Sequence, residues 1–125
     1  MRYYADSCIW IDFLEERHEI NLFYDCIVRK EELLISDILL EELDQYIHLD
    51  NMKMIFQLLE SNNLLLKAVS MPEQGAESKR LAQERNIPPG DALHAIIARD
   101  HNATLVTRDD ISLNYEIYVR LKYFD

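Results

Sequence analysis

Four acidic residues occupy positions at which a parallel α/β chain can bring carboxylates together. Asp6 ends the first strand-like segment, and Asp109 follows another strand-like segment at residues 103–107. Glu42 lies early in one helical segment, and Asp91 lies in the first turn of another. Ligand sites in open α/β sheets gather at the carboxyl ends of the strands. We therefore expect all four carboxylates to face one cleft.

The chemistry that such a cluster allows depends on metal ions. Carboxylates within several ångströms of one another repel, and each raises the pKa of the others unless cations lie between them. No grouping of His and Cys accompanies these acids, so the ligands would be oxygen atoms, which suit Mg²⁺ and Mn²⁺. One such ion lowers the pKa of an attacking water while another stabilises the departing oxygen. The pattern therefore indicates phosphodiester chemistry.

Each acid also has a simpler explanation when it is considered alone. Asp and Glu are favoured at helix N-termini and in turns, where they cap backbone N–H groups and interact well with the helix dipole. That explanation does not account for two acids, Asp6 and Asp109, that each end a separate apolar strand. The pair at the strand ends is what favours a functional cluster.

The hydrophobic spacing predicts the elements that position these acids. Apolar residues recur at intervals of three and four in the helices, whereas the strands are short apolar runs typical of buried strands. Strands that alternate with helices through short connections predict a single three-layer α/β domain over residues 1–125, with a parallel central sheet flanked by helices. The predicted strands are residues 2–5, 33–35, 64–66, 103–107 and 117–119. The predicted helices are residues 8–17, 19–30, 37–47, 51–61, 72–85 and 92–99.

Three local features of these elements bear on the site and its surroundings. The Pro-Pro-Gly run at residues 88–90 suits a helix start and places Asp91 in the first turn. Ser7 is expected to cap the helix after the first strand. The helix at residues 72–85 is expected to lie on the surface, because few of its residues are apolar. Those residues are Ala76, Leu81 and Ala82.

Composition limits the classes of protein that remain. A chain of 125 residues is large enough for one domain, and its 2 Gly and 3 Pro favour long helices with tight connections. The two cysteines, Cys8 and Cys26, fit free thiols in a reducing compartment. No apolar run is long enough to span a membrane, and no leader pattern opens the chain. We therefore expect a cytoplasmic protein.

The charge of the chain bears on its substrate. A formal net charge of −10 argues against ordinary nucleic-acid binding, because that affinity comes largely from Lys and Arg side chains that neutralise phosphates. Metal ions held by the acids lessen this problem. The four positive charges of two divalent cations would change the formal net charge from −10 to −6. The remaining acidity is expected to lie elsewhere on the surface.

Four short motifs, spread over nearly the whole chain, resemble those of the PIN-domain ribonucleases, and in particular the VapC-type toxins of prokaryotic toxin–antitoxin pairs. Residues 4–7 (Tyr-Ala-Asp-Ser) are similar to the opening strand of that family, with its first acid and following hydroxyl. Residues 35–42 resemble its Ser-to-Glu segment, in which the acid comes six residues after the serine, and this spacing selects Glu42 over its acidic neighbour. Residues 91–95 and 105–109 resemble its third and fourth acidic motifs.

The resemblance implies a metal-dependent endoribonuclease that binds one or two Mg²⁺ or Mn²⁺ ions and leaves 5′-phosphate and 3′-hydroxyl ends. It also implies an RNA substrate, a small antitoxin partner that plugs the cleft, and a tendency to form homodimers. Asp110 is the substitute for the fourth ligand, because the residues that follow Asp109 depart from the family pattern. The catalytic acids and metal ligands that carry over are Asp6, Glu42, Asp91 and Asp109, with Ser7 and Thr107 as supporting hydroxyls.

Two other interpretations remain open on the sequence alone. An acidic α/β chain of this length with an aspartate after its first strand also fits a phospho-acceptor receiver domain, although the strand at residues 64–66 is followed by Lys67 rather than an acid. The second is a PIN fold that binds a partner without cutting RNA. His94, one turn after Asp91, is expected to pack or to support the site rather than to carry protons.

Overall fold

A parallel sheet organises the part of the chain that the structure, a computed structural model, describes, which is residues 1–14 and 22–107. Its strands are β1 (Arg2–Ala5), β2 (Glu32–Ser36), β3 (Leu65–Ala68) and β4 (Thr104–Val106). They lie in the order β3-β2-β1-β4, and every neighbouring pair is parallel. The predicted strand at residues 117–119 lies outside the described residues.

Helices flank this sheet and give the three-layer α/β arrangement that the sequence predicts. The predicted fold class, a parallel sheet flanked by helices in a PIN-like arrangement, is confirmed. The predicted first and second helices both run into residues 15–21, which lie outside the described ranges. The helices are α1 (Ser7–Leu14), α2 (Leu22–Arg29), α3 (Asp37–Asp44), α4 (Lys53–Ser61), α5 (Pro72–Arg85) and α6 (Pro89–Asp100), with a 3₁₀ helix at Leu49–Met52.

The strand order places a switch point at the carboxyl ends of β1 and β4, the position at which open α/β sheets form a ligand-binding crevice. The chain adds β2 and β3 on one side of β1 and then places β4 on the other side. Helices that follow strands on either side of such a switch point diverge, and ligands bind in the gap between them. The sequence analysis expects the site at this edge of the sheet.

The same order contradicts the receiver interpretation. Receiver domains have the doubly wound order 2-1-3-4-5, in which the first strand lies between the second and the third. In this chain β1 lies between β2 and β4. The fold is therefore not that of a phospho-acceptor receiver.

Aromatic packing fixes α1 and α2 against each other. The rings of Trp10 and Phe23 stack with their centroids 3.8 Å apart, and both side chains are fully buried. Phe13 meets Phe23 edge to face at 4.8 Å. Buried aromatic side chains contribute large apolar areas, so this cluster holds in place the helix that begins directly after β1.

Most residues of α5 are exposed, as expected for a surface helix, and the helix buries one narrow face. Ala76 is exposed, and the inner face of the helix consists of Gln74, Ser78 and Ala82. Two of these three residues are polar, which is why a search for apolar spacing did not find the buried face. The Gln74 amide donates to Asp100 Oδ2 at 3.0 Å, so its burial beside α6 is compensated by a hydrogen bond.

Two further findings concern the whole described part of the chain. No helix within residues 1–14 and 22–107 is long and apolar enough to cross a membrane. Both cysteines are free thiols, as predicted, with Cys26 buried and Cys8 half-buried.

Candidate active site

Asp6 lies at the crevice between β1 and β4. It directly follows β1, and its side chain is 8 % exposed. Its backbone N–H donates to the carbonyl of Val106 at 3.2 Å, which fixes the residue against the end of β4. The Cys8 thiol donates to Asp6 Oδ1 at 2.7 Å. The carboxylate is therefore held at a defined place, with part of its hydrogen-bonding capacity met by the neighbouring helix.

Ser7 does not cap α1 as predicted, because the helix already begins at Ser7. The carbonyl of Asp6 accepts from the N–H groups of Ile9 and Trp10, so Asp6 occupies the N-cap position directly before the helix. The Ser7 side chain instead forms a hydrogen bond with Glu42. This bond connects the start of α1 to α3 and places the Glu42 carboxylate beside the residue that follows Asp6.

Glu42 is half-buried and ionised. His94 Nε2 lies 2.8 Å from Glu42 Oε1. Burial raises the pKa of the Glu42 carboxyl, but the hydrogen bond and charge of His94 and the hydrogen bond of Ser7 outweigh that effect and hold the pKa below its usual range. Its neighbour Glu41 is exposed. The structure thus distinguishes the two adjacent acids in the way that the motif spacing does.

The start of α6 approaches the same carboxylate. Pro88 precedes the helix with extended backbone, and Pro89 is its first residue, as the Pro-Pro-Gly run predicts. A Cβ atom placed on Gly90 would lie 3.7 Å from Glu42 Oε1, an ordinary van der Waals distance, so the first turn of α6 lies near the Glu42 carboxylate. Asp91 follows Gly90 in that first turn and is half-buried.

A buried chain of hydrogen bonds lies behind Glu42. Tyr4 Oη is 2.6 Å from His94 Nδ1 and 2.7 Å from Ser36 Oγ. Ser36 Oγ also accepts from the backbone N–H of Leu39 at 3.1 Å and so caps α3. Burial raises the pKa of the Tyr4 hydroxyl well above its usual value, and the charges of Glu42, Asp6 and Asp37 raise it further against the opposing hydrogen bond of Ser36. Tyr4 is therefore a neutral phenol.

Tyr4 is a site residue that the sequence analysis did not single out. Successive side chains of a strand point to opposite faces, so residues two apart share a face. Tyr4 precedes Asp6 by two positions, and this spacing is the signal that could have identified it. His94 is 3 % exposed with both ring nitrogens engaged, which agrees with the supporting role expected for it.

The remaining predicted residues lie at or beyond the end of β4. Thr107 directly follows β4 and is buried. Asp109 and Asp110 lie outside the described residues, and their roles stay predictions. Within residues 1–14 and 22–107, no three His, Cys, Asp or Glu side chains are placed to hold a metal ion together.

Two of the four predicted acids lie near the same buried tyrosine. The charges of Glu42 and Asp6 both raise the pKa of the Tyr4 hydroxyl, and Asp91 follows Gly90, which lies near the Glu42 carboxylate. Their donors are carboxylate oxygens, and hydroxyl groups accompany them. This donor chemistry fits a hard divalent cation better than a soft one.

Residues 3–116 match the PIN domain family. The chain therefore belongs to the PIN-domain family, in agreement with the motifs of the sequence. No curated protein matches the chain.

Solved structures with the same fold include two of toxin–antitoxin proteins. A toxin–antitoxin complex from Klebsiella pneumoniae has a TM-score of 0.64 at 17 % identity, over 94 % of this chain and 95 % of that one. VapBC2 from Rickettsia felis, bound to a DNA fragment from its promoter, has a TM-score of 0.70 at 18 % identity, over 97 % and 98 %. FitAcB from Neisseria gonorrhoeae has a TM-score of 0.55 at 17 % identity, over 99 % of both chains. These likenesses establish the fold.

Proposed function

We propose that this chain is a divalent-metal-dependent endoribonuclease that cuts RNA phosphodiester bonds, and that it acts as the toxin of a toxin–antitoxin pair. PIN domains are generally nucleases, and the chain belongs to that family. The observation that carries the proposal is the ionised Glu42 carboxylate, held between the first turn of α6 and the residue that follows Asp6. A nuclease of this kind needs carboxylates from separate elements at one crevice.

The proposed metal ligands are the four acids of the family motifs. They would hold one or two Mg²⁺ or Mn²⁺ ions, with Asp110 as the substitute for the fourth and Ser7 and Thr107 as supporting hydroxyls. When bound, such an ion supplies positive charge to a phosphate oxygen and lowers the pKa of a water. The ligands are Asp6, Glu42, Asp91 and Asp109.

In this proposal, hydrogen bonds among the described residues hold Asp6 and Glu42 in position. The backbone bond to Val106 holds Asp6 at the end of β1, and Ser7 and His94 donate to Glu42. Donors that already point at a carboxylate keep it ionised and in place before any substrate arrives. The RNA backbone would then meet a site that needs little rearrangement.

The proposed partner is a small antitoxin protein. The structure from Klebsiella pneumoniae is a toxin–antitoxin complex, and the one from Rickettsia felis contains VapBC2 on promoter DNA. A chain with a formal net charge of −10 suits a partner that brings basic side chains to the acidic crevice. We also propose a cytoplasmic location, where RNA substrates are available, and assembly as a homodimer.

The adjacent acids of α3 provide a matched test of the site. Glu42→Gln should lower Mn²⁺-dependent cleavage of RNA at least about a hundredfold, because it removes a metal ligand, whereas outer partners of ligands cost about ten- to a hundredfold. Glu41→Gln removes the same charge from an exposed neighbour and should cut RNA as the parent does. Cleavage is measured on labelled RNA with Mn²⁺ and again with a chelator.

Circular dichroism and thermal unfolding establish that both variants are folded. Equal cleavage by Glu42→Gln and the parent, with contaminating nuclease excluded, would contradict the site. A parent that gains thermal stability with Mn²⁺ but cuts no RNA would indicate the binding module instead.

A further inference from the structure

A continuous set of hydrogen bonds links four elements, β1, β2, α3 and α6, behind the Glu42 carboxylate. It starts at the capped end of α3, where the Leu39 N–H donates to Ser36 Oγ. It passes through Tyr4 of β1 to His94 of α6 and returns to α3 at Glu42. Tyr4, Ser36 and His94 are each at most 3 % exposed. Water therefore has little access to these groups, and they depend on one another for hydrogen bonding.

The chemistry of the groups fixes the direction of donation when the imidazole is neutral. An ionised carboxylate can only accept, so His94 Nε2 must carry the hydrogen that is donated to Glu42. His94 Nδ1 is then an acceptor, and Tyr4 Oη must donate to it. The Ser36 hydroxyl in turn donates to Tyr4 Oη while it accepts from the Leu39 N–H. Every member of the set is satisfied in this arrangement.

We propose that Tyr4 and His94 are positioning residues for Glu42, with His94 acting on the carboxylate directly and Tyr4 acting through His94. This inference rests on the proposed function, in which Glu42 is a metal ligand. Hydrogen-bond partners of metal ligands fix the orientation of those ligands, and their loss typically weakens metal binding about ten- to a hundredfold. Tyr4 never touches the metal or the RNA in this assignment.

The arrangement also explains the spacing of the second motif physically. Ser36 must cap α3 to be near Tyr4, and Glu42 must lie on the same helix, near enough to receive the donation of His94. Glu42 comes six positions after Ser36, which ends β2 and caps the helix that carries Glu42. A shift of Glu42 by one position would turn its side chain by about 100° around the helix and break the set.

Tyr3 provides a matched control for Tyr4. Both are buried tyrosines on β1, and adjacent strand positions point to opposite faces of the sheet. The Tyr3 hydroxyl lies 3.3 Å from the sulphur of Met1, on the side away from the site. Tyr4→Phe and Tyr3→Phe therefore each remove one phenolic hydroxyl from the same strand, and only the first change affects the set behind Glu42.

The experiment measures Mn²⁺ affinity by isothermal titration calorimetry without RNA. Tyr4→Phe should weaken Mn²⁺ binding about tenfold, and Tyr3→Phe should leave it unchanged. His94→Gln, which keeps a donor near the position of Nε2, should retain more affinity than His94→Asn. If Tyr4→Phe binds Mn²⁺ as tightly as the parent, or if His94→Asn does, the positioning role is wrong.

Nuclear magnetic resonance of the metal-free protein separates this inference from the proposed function. In mildly alkaline buffer, the ¹⁵N shifts of His94 should show the Nε2–H tautomer in the parent and in Tyr3→Phe, and in Tyr4→Phe the Nδ1 resonance should move to that of an imidazole nitrogen that accepts no hydrogen bond. A parent that binds no Mn²⁺ overturns the proposed function, and the positioning of Glu42 is then judged by these spectra. An Nδ1–H tautomer in the parent overturns the positioning role whether or not metal binds.

Discussion

Glu41 and Glu42 show how environment separates two identical side chains at adjacent positions. Glu41 faces solvent, whereas Glu42 turns inward to His94, Ser7 and the start of α6. Burial alone would favour the neutral acid, and only the donors around Glu42 keep it charged. This half-buried charge is retained because its partners are already in place. This combination is frequent at functional sites.

Single substitutions can show which of the two acids, Asp109 or Asp110, is the fourth metal ligand. Asp109→Asn should reduce Mn²⁺-dependent RNA cleavage at least about a hundredfold if Asp109 is the fourth ligand, whereas Asp110→Asn should leave cleavage near that of the parent. The two variants change the net charge equally, so a general electrostatic effect cannot separate them. The opposite ranking would assign the fourth ligand to Asp110, and equal activity of both variants with the parent would remove this segment from the site.

The position of a site residue could be predicted where the neighbouring residues in the sequence determine it. Asp6 is positioned by the end of a strand and Asp91 by the start of a helix, and the sequence pattern predicts both features. Tyr4 was not singled out, because a tyrosine in an apolar strand is ordinarily core, and only the position of His94 on a distant helix gives its hydroxyl a partner. The hydrogen bond of the Ser7 side chain to Glu42 likewise depends on how α1 and α3 pack, which one sequence does not specify.

At the scale of elements, an ion pair holds α5 against α6. Arg99 donates to both carboxylate oxygens of Glu77, at 2.6 and 2.8 Å, and it also donates to Asp100. The hydrogen bond from Arg99 is the main cause that holds the pKa of Glu77 below its usual range, against a smaller opposing effect of burial. Because α6 carries Asp91 and His94, this pair helps to fix the helix that presents them.

Replacement of Arg99 should therefore have a pH-dependent effect on stability. Arg99→Met should lower the free energy of unfolding by about 0.5–1 kcal/mol at neutral pH, the upper part of the range for partly exposed pairs. A carboxyl with a lowered folded-state pKa stabilises the protein above its unfolded-state pKa, and this contribution is lost as the pH falls through the folded-state value. The difference between parent and variant should then shrink in acid, as measured by urea unfolding.

Lys79→Met is the control for this measurement, because Lys79 is an exposed cation on α5, the helix that carries Glu77. A stability difference for Arg99→Met that is equally large at neutral and acidic pH would show that the side chain acts by packing and not through Glu77.

The elements themselves were largely predictable, and the exceptions have physical causes. Continuous apolar runs identified the strands, and the Pro-Pro-Gly run identified the start of α6. Hydrophobicity did not indicate the buried face of α5, because two of its residues are polar. Gln74 donates to Asp100 of α6, and Ser78 donates to the Gly75 carbonyl within α5. Ser7 was expected as a cap, but the bend that follows Asp6 starts α1 one residue earlier than a Ser7 cap requires.

At the scale of the whole molecule, the order of the strands matters more for function than their number. Alternating elements with short connections predict a parallel sheet, but they do not decide on which side of β1 the strand β4 is placed. That choice depends on long-range packing, and it creates the crevice that Asp6 and Thr107 border. The acidity of the chain, with a net charge of −10, becomes useful for nucleic-acid chemistry only if cations occupy that crevice.

The most direct test of this account is the rate of Mn²⁺-dependent RNA cleavage by the purified chain and by its Asp6→Asn and Asp91→Asn variants. The parent is predicted to cut RNA only when the divalent ion is present, and each variant is predicted to lose cleavage at least about a hundredfold while it keeps the unfolding transition of a folded protein. If both folded variants cut RNA at the parent's rate, with contaminating nuclease excluded, the assignment of a carboxylate metal site at the end of β1 is wrong.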